Sequence, residues 1–205
     1  DAFGKIANAV STSEQLYAEM QSDFMDPSDT LVVAGWGNYY VIDHEGHRIG
    51  LEGMRKALAG FLARPEYANV NIFHSGIQVG QVIPSFVDEN GKIWKTEVRP
   101  EGLFVVAALR TDLEVARKAM REILKGTLRG FSIAGNAKKK EIKCDHGECW
   151  TEVTDMEMYE VTLCVQPMNQ KSYITDILQK PDPASCPDCY EGVEVEYDSA
   201  LQVKV

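Results

Sequence analysis

Positive charge is scarce in this chain. Its 205 residues hold 21 Lys and Arg against 31 Asp and Glu, a formal net charge of −10. That field repels phosphate and disfavours wholesale binding of nucleic acid, which only a local basic patch could support. Long apolar runs are lacking too: the longest strongly apolar stretch, Leu103 to Leu109, is far below the roughly 20 residues that cross a bilayer as a helix. The N-terminus shows no charged-then-apolar secretory signal. The chain therefore reads as soluble and intracellular, with no nucleic-acid and no membrane partner. Histidine is rare, four in all, so candidates for a general base are few. Cysteine is odd in number at five, which argues against a complete disulfide framework. What is present, 44% hydrophobic and 25% charged residues, is ordinary for one globular core, and a second full domain is not expected.

The pattern along the chain alternates helix and strand signals. Ser11 with Glu14 forms a capping box ahead of Leu16, Tyr17, Met20 and Phe24 at helical spacing, which predicts an N-terminal helix. Thr30 to Val33 and Asn38 to Ile42 read as two short strands separated by Gly35-Trp36-Gly37. Leu51, Met54, Leu58, Phe61 and Leu62 predict a helix that ends near Pro65. Val70 to Phe73, Val79 to Val87, Lys92 to Val98 and Leu103 to Leu109 then form a meander, with Asp88 to Gly91 as a hairpin turn. Thr111 and Glu114 suggest a second capping box before a helix carrying Leu113, Ala116, Ala119, Met120, Ile123 and Leu124. Strands follow at Leu128 to Gly135, Lys139 to Lys143 and Met156 to Val165, then a short helix from Asn169 to Leu178, and from Lys180 a Pro-rich acidic tail.

Two residues stand out chemically. Ser132, in Gly130-Phe131-Ser132-Ile133-Ala134-Gly135, is a lone hydroxyl on a short apolar strand between glycines, where a substrate carbonyl can approach the backbone. His74 is the one histidine that ends an apolar strand-like run; His44 and His47 lie in an acidic turn, and His146 lies between cysteines. Each alone reads more readily as structural.

Taken as an ordered set, His74 in NVNIFHSGIQVGQV, Ser132 in LRGFSIAG after a long helix, and YEVTLCVQPMN downstream resemble the prohead proteases of tailed phages and related archaeal viruses, which are akin to herpesvirus assemblins. The resemblance covers Leu31 to Leu178. It implies an α+β fold, an assemblin-like β-barrel, closed or nearly so, flanked by helices. It implies a serine endopeptidase with Ser132 as nucleophile, His74 as base and Glu160, on the strand after the serine, as the acid that orients the base. Glu157 and Asp155 are the fallback acids, and Glu160 is also readable as a solvent-facing strand residue. One oxyanion donor would be the backbone N–H of Ile133; the second would lie after the Glu160 strand in Pro167-Met168-Asn169, where the arginine pair of assemblins is missing, so backbone amides, Asn169 or water would have to serve.

Substrates implied are viral scaffold and major capsid protein extensions and the chain itself, cleaved inside an immature procapsid in the host cytoplasm. By the same analogy Asn169 to Leu178 is the helix through which a homodimer would form. The domain reading is residues 1–29 as an N-terminal helical extension, 30–180 as the protease domain and 181–205 as an acidic tail. Catalysis needs no cofactor. A structural zinc held by Cys144, Cys149, Cys186 and Cys189 is weighed against disulfides and free thiols, the zinc clamping the tail to the 144–149 loop. Cys164 reads as a buried thiol. Lys138-Lys139-Lys140 reads as a solvated loop, or as a contact for acidic scaffold segments. The rival function is a non-catalytic, zinc-stabilised capsid assembly or scaffold-interaction module, in which Ser132 and His74 are merely structural. An esterase is disfavoured because the G-x-S-x-G elbow is absent.

Overall fold

The computed structural model describes residues 29–64 and 68–193; the expected N-terminal helix lies outside them. Eleven strands and two helices follow in the order β1 (Leu31–Tyr39), β2 (His47–Ile49), α1 (Leu51–Leu62), β3 (Asn69–Ile72), β4 (Gln78–Ile83), β5 (Ser85–Val87), β6 (Ile93–Lys95), β7 (Glu97–Arg99), β8 (Gly102–Leu109), α2 (Glu114–Leu124), β9 (Gly130–Asp145), β10 (Glu148–Cys164) and β11 (Ile174–Gln179). A 3-10 turn, Pro187–Tyr190, completes the described chain. The class is α+β, as expected.

Nine strands form one mixed sheet in the order β11-β1-β8-β4-β3-β10-β2, with β7 on β8 and β9 on β10; β5 and β6 form a separate hairpin. Alternation along the central strands sorts their side chains into two cores. Leu31, Val33, Leu103, Val105, Ala107 and Leu109 enter the main core with Met54 and Phe61 of α1 and Met120 of α2. Val32, Ala34, Phe104, Val106 and Ala108 face the other way, beneath Trp36, Phe86 and Trp94. Strands covered on both faces read as continuous apolar runs, which is why β8 looks so uniform in sequence.

The strand ladder does not close into a barrel. The sheet nevertheless curls back on itself: a single bridge, Gly130 with Tyr173, ties β9 to the start of β11, backed by Phe131 N–H donating to Ser172 O and Ile174 N–H donating to Arg129 O, both 2.9 Å. Two glycines make this seam possible. A Cβ at Gly35 would sit 2.2 Å from Tyr173 O, and one at Gly130 would sit 2.8 Å from Pro167 Cδ and 2.9 Å from Cys164 O.

Several local expectations change. The two short strands around Gly35-Trp36-Gly37 are one strand, β1, whose register shifts at Ala34/Gly35 on the β11 side and Trp36/Asn38 on the β8 side absorb the irregularity. The helix expected from Asn169 to Leu178 is a turn followed by β11, so the element proposed for a homodimer contact does not exist; β-branched Ile174 and Thr175, paired to β1, make a better strand than helix. The capping box at Thr111 is not formed, because Leu113 holds the N-cap position and makes no side-chain cap bond. Lys138 to Lys140 lie within β9, not in a loop. The tail is not wholly detached: Pro181 is buried, Cys186 and Cys189 join the main core, and Cys189 Sγ lies 3.5 Å from Met120 Sδ of α2. Among the described residues, no helix is long and apolar enough to cross a membrane.

Candidate active site

Strand β10 assembles the site by having a different neighbour on each edge. On one edge it pairs antiparallel with β9, setting Thr162 opposite Ser132 and Glu160 opposite Ala134. On the other it pairs in parallel with β3, setting Thr162 opposite Asn71. Directly paired residues project to the same face, and residues two apart on one strand share it. Ser132, Thr162, Glu160 and Asn71 therefore share one face of three adjacent strands.

His74 reaches this face from the loop after β3. Phe73 and His74 both take left-handed backbone angles, φ 52° and 53°, a conformation uncommon outside glycine and often found at functional sites. The corner is pinned by three hydrogen bonds: Phe73 N–H to Leu163 O at 3.0 Å and Ser75 N–H to Ile72 O at 3.0 Å, and His74 N–H to Thr162 Oγ1 at 3.0 Å. The ring then meets the acid, with Nδ1 2.5 Å from Glu160 Oε1. An ionised carboxylate only accepts, so Nδ1 carries the hydrogen and Nε2 is left as the basic nitrogen. Asn71 Nδ2 donates to the other oxygen, Oε2. The His74 side chain is 46% exposed and that of Glu160 15%, an accessible base over a mostly buried acid.

Of the three acids read from the sequence, Glu160 is the one on His74. Glu157 is committed elsewhere: Lys138 and Arg64 flank it at 3.1 and 3.4 Å and hold its carboxyl below the usual carboxylate range. Asp155 is exposed on the far part of β10. Among the described residues the Ser132 hydroxyl is not hydrogen-bonded to the His74 ring; such contacts often tighten only around substrate.

The two oxyanion candidates fare differently. Phe131 N–H points away from β10, toward Ser172. With no register shift between Phe131 and Ile133, the Ile133 N–H points to that same open edge, beside the serine. Asn169 is buried, and its side-chain Nδ2 donates to Tyr39 O at 2.7 Å, which fastens its loop to β1.

A family model described as caudovirus prohead serine protease matches residues 91–184, the stretch that includes Ser132 and Glu160. Over those residues the chain is similar to that family of viral serine proteases. No curated protein matches it. Among solved structures, the KSHV protease in complex with a hexapeptide phosphonate inhibitor aligns with TM-score 0.42 and 16% identity over 71% of this chain; the chain spans 64% of that structure's length.

The four-sulfur zinc site is not assembled. Cys144 pairs with Cys149 at the far end of β9 and β10, and Cys186 pairs with Cys189 in the 3-10 turn, each as a disulfide. Among the described residues no three His, Cys, Asp or Glu converge on a metal position, and disulfide sulfurs have no thiolate to give. His146 lies at the exposed tip, beside Asp145.

Two residues of the site escaped the sequence reading. Asn71 had a signal, an amide between Val70 and Ile72 in an otherwise apolar strand. Thr162 had a weaker one, a hydroxyl that shares the parity of Glu160 in VTLCV.

Proposed function

We propose that this chain is a serine endopeptidase of viral procapsid maturation. Ser132 is its nucleophile, His74 its general base and Glu160 the acid that orients the base. The observation that carries the reading is the Glu160 carboxylate on His74 Nδ1 at 2.5 Å, with both held on the face where Ser132 opposes Thr162. In the reaction, Ser132 Oγ attacks the scissile carbonyl carbon, and its proton passes to His74 Nε2. The imidazolium so formed is stabilised by Glu160, then protonates the leaving amine, and water releases the acyl-enzyme by the same route. The Ile133 N–H is the donor placed for the oxyanion.

The substrates are extensions of scaffold and capsid proteins, together with the chain's own ends. Confinement within a procapsid in the host cytoplasm supplies selectivity through local concentration. The two separate disulfides support this reading over a zinc-stabilised, non-catalytic module.

Intact-mass spectrometry of the wild-type chain beside Ser132→Ala, alone and mixed with scaffold protein, tests the reading. Truncation in the wild type that vanishes in the variant is the expected result. Cleavage that persists in Ser132→Ala at the parental rate overturns it.

A further inference from the structure

Asn71 is 5% exposed in the middle of β3, next to the fully buried Val70. Strands disfavour asparagine, and a buried amide is costly unless its groups are bonded. Its partner explains its presence. Nδ2 donates to Glu160 Oε2, the oxygen that His74 does not use. The amide nitrogen must face the carboxylate, since the amide oxygen there would set acceptor against acceptor. The register delivers it: Asn71 pairs with Thr162, two residues past Glu160 on the same face.

We infer that Asn71 is a positioning residue for the catalytic base. A carboxylate held by one donor turns about its last torsion, and a long side chain on a strand carries considerable rotamer freedom. Two donors on two oxygens remove that freedom. Oε1 then stays on His74 Nδ1, and Nε2 stays available to take the Ser132 proton. Asn71 acts entirely through Glu160, and this role rests on the assignment of Ser132, His74 and Glu160 proposed above.

The test uses the full chain and a fluorophosphonate probe, which reports nucleophile activation without a known peptide substrate. Ser132 Oγ forms a bond to phosphorus, the P–F bond breaks with fluoride leaving, and the serine proton goes to His74. The second-order rate of labelling is read by intact mass. Asn71→Ala, and Asn71→Leu, which keeps the shape but not the N–H, should slow labelling about 10- to 100-fold, with the thermal midpoint kept within a few degrees. In a Glu160→Ala background, Asn71→Ala should change the rate by less than about threefold, because no carboxylate remains to be held.

Asn71→Leu labelling at the parental rate, while Ser132→Ala stays unlabelled, overturns this role and leaves the triad standing. Effects of Asn71 and Glu160 that multiply in full overturn it as well. A parental chain that labels no faster than Ser132→Ala overturns the triad itself.

Discussion

Strand β10 buries two glutamates, and their partners differ. Glu152, its side chain 4% exposed, is held by Arg48 Nε at 2.8 Å and by Trp150 Nε1 at 2.8 Å, while the Arg48 guanidinium stacks 4.4 Å from the rings of both Tyr40 and Trp150. Glu160, eight residues on, is held by an amide and an imidazole. Arginine keeps its charge at any working pH, so the first carboxylate is compensated permanently and serves to fasten β2 to β10. Histidine can take and release a proton, so the second is compensated on demand. The partner, more than the burial, separates the structural carboxylate from the one proposed to be catalytic.

Exchanging the two glutamates' fates is the strongest way to break that comparison. Glu160→Gln should lower the acyl-transfer rate by about two to four orders of magnitude and leave the thermal midpoint within a few degrees. A fluorophosphonate time course beside a melt measures both. Retained activity would place Glu160 with Glu152 as a structural residue.

Glu152→Ala should do the reverse. Removing one partner of a buried pair costs ~3–5 kcal/mol. With Arg48 21% exposed, the expected loss is about 2–3 kcal/mol after solvent screening of that side, while the labelling rate per folded molecule at 25 °C is kept. Urea denaturation reads the first quantity and labelling the second.

Cys164, four residues beyond Glu160, sharpens the comparison with the smallest effect. Burial alone pushes its thiol up to about 11, because nothing there favours the thiolate. At pH 8 iodoacetamide should therefore alkylate it much more slowly in the folded chain than in urea. Its folded value lies above that of a free thiol, so the small stability it contributes is present below the free-thiol value and is lost as pH rises through about 11. Equal alkylation rates in the folded and unfolded chain would show a charged partner for this thiol.

The second half of the β9–β10 ladder shows where sequence reading ran short. Lys139 to Lys143 and Met156 to Val165 were recognisable as strands, but the polar stretch between them was not, because a hairpin exposed on one flank needs no apolar alternation. Residues 144–149 there are all exposed, with His146 beside Asp145 at 2.8 Å at the tip. The Asn169 to Leu178 segment failed for the opposite reason: its apolar residues fit helical spacing, and pairing with β1 overrode that periodicity.

Sequence alone determined the helices with a clear apolar stripe, the central apolar strands, and Ser132 and His74 as the residues with chemistry to spare. These rest on local periodicity and on residue type, which a linear chain displays. The tertiary structure decided which acid meets the histidine, that the two cysteine pairs close separately, that the Asn169 side chain fastens its loop to β1, and that Asn71 and Thr162 belong to the site. The acid's choice and the place of Asn71 and Thr162 are matters of register across strands some 90 to 30 residues apart, from Asn71 to Thr162 and from Ser132 to Thr162. Moving any of these pairings by one residue would turn the side chain to the other face, and nothing in the local sequence records which register the packed sheet will choose.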